Sequence, residues 1–262
     1  MTYGNGCMMS ATISTICRFP VKSLSPEQLP SATLEVGGTI PGDRRFALAL
    51  ASTRFDGTSP HWQHKSSFLI LMKNEKLAAL ETVFDPATDD LKVLRGGKQV
   101  ARGKLTDPVG RAMIEDFFSA YMKNEAHGKP RLVETQGDGI FTNQKTKLIS
   151  IINLASLRDL ERVSGTTIDA TRFRGNIMID GIEAWSEFGW LGKDITCGSA
   201  TFKIKDRIER CAAINVNPTT GARDQNLVKA LQVGFGHIDM GIFATVTKAG
   251  SFATDDSLNL RD

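Results

Sequence analysis

Apolar runs in this chain are short, and a glycine, a proline or an Asp/Asn turn interrupts nearly every one of them. Phe68-Leu69-Ile70-Leu71-Met72 is typical, far below the ~20 apolar residues that a membrane-spanning helix needs. Runs of this size between turn residues read as strands. They are predicted at 11–19, where Pro20 ends the run, at 33–36 before Gly37-Gly38, and at 46–50 after Gly42-Asp43. Two more, 77–84 and 91–94, flank the loop Asp85-Pro86-Ala87-Thr88-Asp89-Asp90, and 99–105 closes the first half. The second half resumes at 176–179, 201–205, 213–216 and 242–247. Short strands at this spacing predict a small barrel or a sandwich.

Helix signals are few. Asp107 and Pro108 form a cap and first-turn pair, followed by Val109, Met113, Phe117 and Tyr121 at helical spacing, a stripe predicted to face a core. A second helix is predicted over 154–163, capped by Asn153, closed by Gly165, with Leu154, Leu157 and Leu160 on one side. Asp224 is read as the cap of a short third helix reaching Leu231. Residues 124–130 are polar and contain Gly128 and Pro130, and are predicted to be an exposed linker. The fold class is therefore α+β and strand-dominated.

Composition narrows the function classes. With 41% hydrophobic and 23% charged residues, the chain is neither fibrous nor disordered. Its 32 Lys+Arg against 29 Asp+Glu leave a net charge of +3, spread too evenly for a nucleic-acid stripe. The first residues lack a signal-peptide pattern, no run spans a membrane, and four cysteines without a CxxC pair suit a reducing cytoplasm. His61 and His64 have no acidic companion at metal spacing and read as a solvated loop. Gly234-Phe235-Gly236 lacks the rest of a dinucleotide fingerprint, and no GxSxG, HExxH or Walker sequence occurs.

The chemistry concentrates between Thr171 and Gly221. Arg172-Phe173-Arg174-Gly175-Asn176 precedes an apolar strand, and Arg210-Cys211 sets a thiol directly after an arginine. A cation beside a cysteine favours the thiolate, the form that ligates soft metals or attacks electrophiles. A cysteine at a strand edge also has a purely structural reading. Clustered arginines read either as a solvated face or as bidentate phosphate holders.

Six segments in order give the chain a resemblance to a known family. Phe19-Pro20-Val21-Lys22-Ser23-Leu24 resembles an opening Y-P-V-K-S, and Gly42-Asp43-Arg44-Arg45-Phe46 a G-D-R-x-W/F. Ile152-Asn153-Leu154-Ala155-Ser156-Leu157 resembles a segment opening a cofactor-side helix, and Arg172 to Ile177 an R-F-R-P-N-I with Gly175 in place of proline. Trp185 and Trp190 fit A-W-x-E-x-x-W, and Arg210-Cys211 through Pro218-Thr219-Thr220-Gly221 fits R-C-x-x-x-x-V-x-P-x-T-G. Together they resemble the MOSC proteins, and within them the two-part members that include the mitochondrial amidoxime-reducing component.

That resemblance implies an N-terminal β-barrel domain with a connecting helix over 11–128 and a MOSC-type β-barrel domain with small helices over 129–262. It implies a molybdenum cofactor, a phosphorylated pterin dithiolene (molybdopterin), with Cys211 as the metal ligand and catalytic position. Lys22, Ser23, Arg44, Asn153, Arg174, Asn176 and Arg210 match cofactor-pocket positions. A helix N-terminus behind Asn153 would suit the phosphate. The implied activity is reduction of N-hydroxylated or N-oxide small molecules. Electrons would come from a separate donor such as a ferredoxin, a flavodoxin or a cytochrome b5-like protein, because four cysteines cannot supply a Cys₄ cluster and a metal ligand as well. The family at large is also associated with pyridoxal phosphate. Two other readings stand beside this one: a sulfur or cofactor carrier using a Cys211 persulfide, and a barrel that binds only a partner protein.

Overall fold

The computed structural model describes residues 10–53, 62–135 and 140–261. Its first half contains β1 (Ala11–Arg18), β2 (Glu27–Leu29), β3 (Ser31–Leu34), β4 (Phe46–Ala49), β5 (Glu81–Asp85), β6 (Asp90–Arg95), β7 (Lys98–Lys104), α1 (Pro108–Met122) and β8 (Arg131–Glu134). There follow β9 (Ile149–Asn153), α2 (Leu154–Ser164), β10 (Ile177–Asp180), β11 (Asp194–Cys197), β12 (Ala200–Glu209), α3 (Leu227–Phe235), β13 (Asp239–Lys248), β14 (Gly250–Ala253) and β15 (Ser257–Arg261). No helix among the described residues is long and apolar enough to cross a membrane.

Seven strands close into a barrel in the order β1, β10, β9, β13, β12, β11, β15 and back to β1. Only β9 and β10 run parallel; the other barrel pairs are antiparallel. β1 comes from the N-terminus, yet it supplies the closing strand, with Thr12 opposite Asp180 and Ala11 opposite Leu258. Alternation decides which side chains enter: Ile151 points into the barrel, while Ile152 points out beneath α2 and α3. Ile13, Ile149, Ile179, Phe202 and Ile242 fill the interior, each completely buried. Side chains of that kind contribute about 1.5–3 kcal/mol apiece on burial.

The remaining strands of the first half, β4 with β8 and β5 through β7, gather around α1. Asp107 caps α1 as expected, accepting from the backbone N–H of Val109 and Gly110. Only half of the expected stripe meets the core: Phe117 and Tyr121 pack at its edge. Val109 and Met113 are 69% and 54% exposed, and Gly110, Ile114, Phe118 and Met122 are buried instead. The reason is a glycine crossing: a Cβ on Gly103 would lie 2.3 Å from the carbonyl oxygen of Gly110. Helix and strand can meet only on that face, which rotates the helix by one residue.

Other local expectations also yield to tertiary pairing. Residues 77–79 lie in a 3₁₀ turn, and the strand there begins at Glu81. The predicted strand at 213–216 is a 3₁₀ turn, Ala212–Asn215, and only Val216 finds a strand-like partner, in an isolated bridge to Arg223. Asp224 does not cap α3; Asn226 does, while Asp224 pairs with Arg172. The predicted linker is exposed at Asn124, His127, Gly128 and Lys129, as expected, but is anchored by Ala126 and Pro130, which are buried.

Residues 129–261 expressed alone would leave β10 and β15 without the strand that joins them. That fragment is expected to show no cooperative melt by circular dichroism, and a fusion carrying residues 10–34 ahead of it to regain one. A cooperative transition from the lone fragment would show that closure does not depend on β1.

Candidate functional site

β1 stops before Pro20, which has no N–H to continue a ladder. The chain then crosses to the second unit: Lys22 N donates to Phe46 O at 2.8 Å, and Ser23 adopts a left-handed φ of 69°. From the opposite side, the end of β12 delivers Arg210 and Cys211, and the loop before β10 delivers Arg172, Arg174 and Asn176. Between them lies a cavity of about 670 Å³, within the range of small-molecule and cofactor sites. Lys22, Ser23, Arg44, Arg174, Asn176, Arg210 and Cys211 all line it; Asn153 does not.

The cations are held by backbone more than by carboxylates. Lys22 Nζ donates to Phe141 O and to Asn143 Oδ1, both at 3.1 Å. Burial, then the charges of Arg44, Arg174 and Lys65, push its pKa down to about 7. Arg44 pairs with Asp43 through one nitrogen and donates to Arg174 O at 3.1 Å through another. Arg174 donates from Nη1 to Leu24 O at 2.8 Å, and its Nη2 is buried with no partner. Arg210 directs Nε and Nη2 to Met240 O and Nη1 to Phe173 O. Burial shifts Arg174 and Arg210 downward, and a guanidinium remains charged near neutral pH even so.

Asn176 lines the wall, but its amide braces the barrel. Oδ1 accepts from both Ser150 N and Ser150 Oγ, and Nδ2 donates to Cys17 O. Asn153 sits deeper, fully buried. Its Oδ1 caps α2, and its Nδ2 donates to Glu187 Oε2 at 2.8 Å and to Glu183 O. Ser156 Oγ also donates to Glu187. A buried carboxylate therefore occupies the α2 N-terminus where a phosphate was expected, since a helix dipole favours either anion. Burial raises the pKa of Glu187, and the bonds from Asn153 and Ser156 oppose that rise.

The cysteines separate by environment. Burial pushes Cys17 up to about 11 and Cys197 up to about 12, so both are inert thiols. Cys211 is half-buried and opens on the cavity. Cys7 and His61 lie outside the described residues. His64 is exposed and accepts from Ser66 N, which agrees with a solvated loop. No group of three or more His, Cys, Asp or Glu is arranged to hold a metal among the described residues. The cavity also includes Arg207, a second arginine near Cys211 in sequence, and Lys65, Asn143 and Asp239, which carry no local sequence signal.

The profile of the MOSC domain matches residues 125–259, and that of the MOSC N-terminal beta barrel domain matches residues 10–129. The chain belongs to the MOSC family. Among curated proteins, this MOSC chain is 30% identical over 117 residues to the molybdenum cofactor sulfurase of Homo sapiens, covering 40% of this chain and 13% of that protein. The molybdenum cofactor sulfurase of Drosophila pseudoobscura pseudoobscura is 29% identical over 112 residues, covering 40% and 14%. The match therefore spans about one seventh of those relatives' length. Among solved structures, the YuaD protein of Bacillus subtilis aligns over 96% of both chains at 13% identity and a TM-score of 0.46.

The residues of this MOSC cavity fit a phosphorylated, sulfur-rich metal cofactor. Arg174 Nη2 is a buried donor lacking an acceptor, and Cys211 is a soft donor opening on the same space.

Lys22 gives the cavity a pH signature. Its ordinary value of 10.5 applies in the unfolded chain, whereas the folded group loses its proton near 7. Between those values the unfolded chain binds the extra proton, so stability rises with pH across the window; below it the full cost of the buried charge is present. Lys22→Met is therefore expected to melt higher than the parent below pH ~7 and to gain less from there to pH ~10. Melts in phosphate-free buffers check this, and parallel pH profiles would show that the Lys22 charge does not burden the fold.

Proposed function

We propose that the cavity binds the molybdenum cofactor and that the protein is an oxidoreductase for N-hydroxylated or N-oxide small molecules. The observation that carries the reading is the meeting, on one cavity, of a buried guanidinium with one unpartnered nitrogen, Arg174 Nη2, and a half-buried thiol, Cys211. When bound, the cofactor supplies a redox centre able to accept an oxygen atom from substrate. Cys211 supplies a thiolate to the metal. Arg174 holds the cofactor phosphate through its free Nη2, while Arg44 and Lys22 add charge and N–H donors on the same wall. Ser23 presents its short side chain from a left-handed turn at the cavity edge.

Arg210 and Asn176 line the cavity and brace its wall. The arginine ties Cys211 to Phe173 O and Met240 O, so the thiol and the Arg174 loop keep one spacing. Asn176 fixes β10 against β9 and β1. Reduction of an N–OH group to N–H consumes two electrons and two protons and releases water. The electrons come from a separate donor protein, a ferredoxin, a flavodoxin or a cytochrome b5-like carrier.

A second reading, a sulfur or cofactor carrier with a persulfide on Cys211, draws support from the similarity to molybdenum cofactor sulfurases. Persulfide trapping on Cys211 during purification separates it from the first.

Protein purified from a cofactor-competent host is expected to contain molybdenum and pterin. Cys211→Ser is expected to keep the fold and some pterin, to lose one sulfur from the molybdenum X-ray absorption shell, and to lose benzamidoxime reduction, because an alcohol is a harder and largely protonated donor. Arg174→Lys keeps charge but loses the planar fork, and is expected to release cofactor on gel filtration. Parental activity and an unchanged sulfur shell in Cys211→Ser would overturn the ligand role.

A further inference from the structure

Phe19 is 1% exposed and is absent from the cavity lining, yet two of the cavity's cations rest on it. The guanidinium carbon of Arg174 lies 4.2 Å from its ring centroid, and that of Arg44 lies 4.7 Å away. These arginines come from turns 130 residues apart in sequence. Both have left-handed backbones, φ 49° at Arg44 and 50° at Arg174, a conformation that non-glycine residues hold only when their surroundings impose it. The charge of Arg44 acts against that of Arg174, and Asp43 is the carboxylate paired with Arg44. Asp43 also accepts from Phe19 N at 2.8 Å, so backbone, carboxylate, ring and both guanidiniums form one unit.

We infer that Phe19 is a positioning residue: its ring is the platform against which the guanidiniums of Arg44 and Arg174 are both held as parts of one anion-binding site. A ring face carries partial negative charge and attracts a guanidinium, more strongly where water is excluded. Simple packing would ask only for an apolar shape at this position. A platform asks for π-electron density as well. Bonds to Asp43 and to Arg174 O already orient the Arg44 guanidinium, whereas Arg174 has the one bond to Leu24 O, so the ring sets the plane of Arg174 and backs that of Arg44. The inference rests on the proposed use of these arginines to hold a phosphate.

The test keeps the shape of the ring and drains its electrons. Full-length protein carrying phenylalanines of increasing fluorination at position 19 is titrated with inorganic phosphate, read by calorimetry and by the rise in melting temperature. Affinity is expected to fall stepwise through the series, reaching about a tenfold loss for the most fluorinated ring, the size expected for a desolvated cation–π contact. Phe19→Tyr, which keeps the π face, is expected to retain at least half of the parental affinity if the hydroxyl is accommodated, and Phe19→Leu to match the fluorinated end of the series. A packing role alone would lower the melting temperature in phosphate-free buffer and leave phosphate affinity level across the series, which would overturn the platform while sparing the phosphate site. Absence of phosphate binding by the unmodified protein would overturn both.

Discussion

Closure of the barrel by β1 is the constraint on which the rest of the molecule depends. A barrel avoids exposed strand edges only if its first and last strands meet. Here one strand from the N-terminus pairs with β10 on one side and β15 on the other. The polypeptide between β1 and β9 must therefore leave the barrel and return, and it builds the α1 unit on the way. Pro20 sets where the departure happens. Since β1 lies beside β10, the residues just past each end, Phe19 to Leu24 and Arg172 to Asn176, face one another without any further device. Sequence separations of this size make closure a slow, non-local event in folding. The site and the fold are thus completed by the same pairing.

The two classes of buried charge are kept apart. Glu187 is fully buried but has the α2 N-terminus, Asn153 and Ser156 around it, so its lone pairs are satisfied within the C-terminal half. The cations collect on the other side of β9, in the cavity, with backbone carbonyls as their main partners. Carbonyl dipoles offset part of the desolvation of a buried charge and leave its net charge uncompensated. On the proposed reading an anionic ligand would supply the compensation, and Arg174 Nη2 is a donor on this wall without an acceptor. A phosphate at the α2 N-terminus would instead have to displace a carboxylate already hydrogen-bonded there.

What could be read from the sequence follows how local each determinant is. Both ends of α2 were legible because Asn153 and Gly165 act within one turn of the helix they bound. The start of α1 was legible for the same reason, but not its buried face, which Gly103 on another element decides. The strand expected at 213–216 failed because strand pairing needs a neighbour along its length, and only Val216 has one, in an isolated bridge to Arg223. At the site, the motif positions Lys22, Arg44, Arg174 and Cys211 were legible as a set and converge on one cavity. Asn153 differs because its partner, Glu187, lies 34 residues away and fills the position a ligand would take. Lys65 and Asn143 join the cavity through tertiary placement alone.

Gly175 shows how a departure from a motif can leave the geometry intact. A Cβ at this position would lie 2.5 Å from Ile152 Cγ1 and 3.2 Å from Met178 Cε, so the ring of the motif's proline would overlap the side chain that packs under α2 and α3. Glycine and Ile152 are therefore one choice, made in the packing outside the barrel. A proline would have stiffened the loop that carries Arg174. In its absence the loop is held by Arg174 N to Thr171 O, by Arg44 Nη2 to Arg174 O, by Arg174 Nη1 to Leu24 O and by the face of Phe19. Three of those four restraints reach across to residues 19–44. Rigidity that the motif would place inside the loop is transferred here to the junction with the N-terminal segment, so the position of Arg174 depends on the same β1 pairing that closes the barrel.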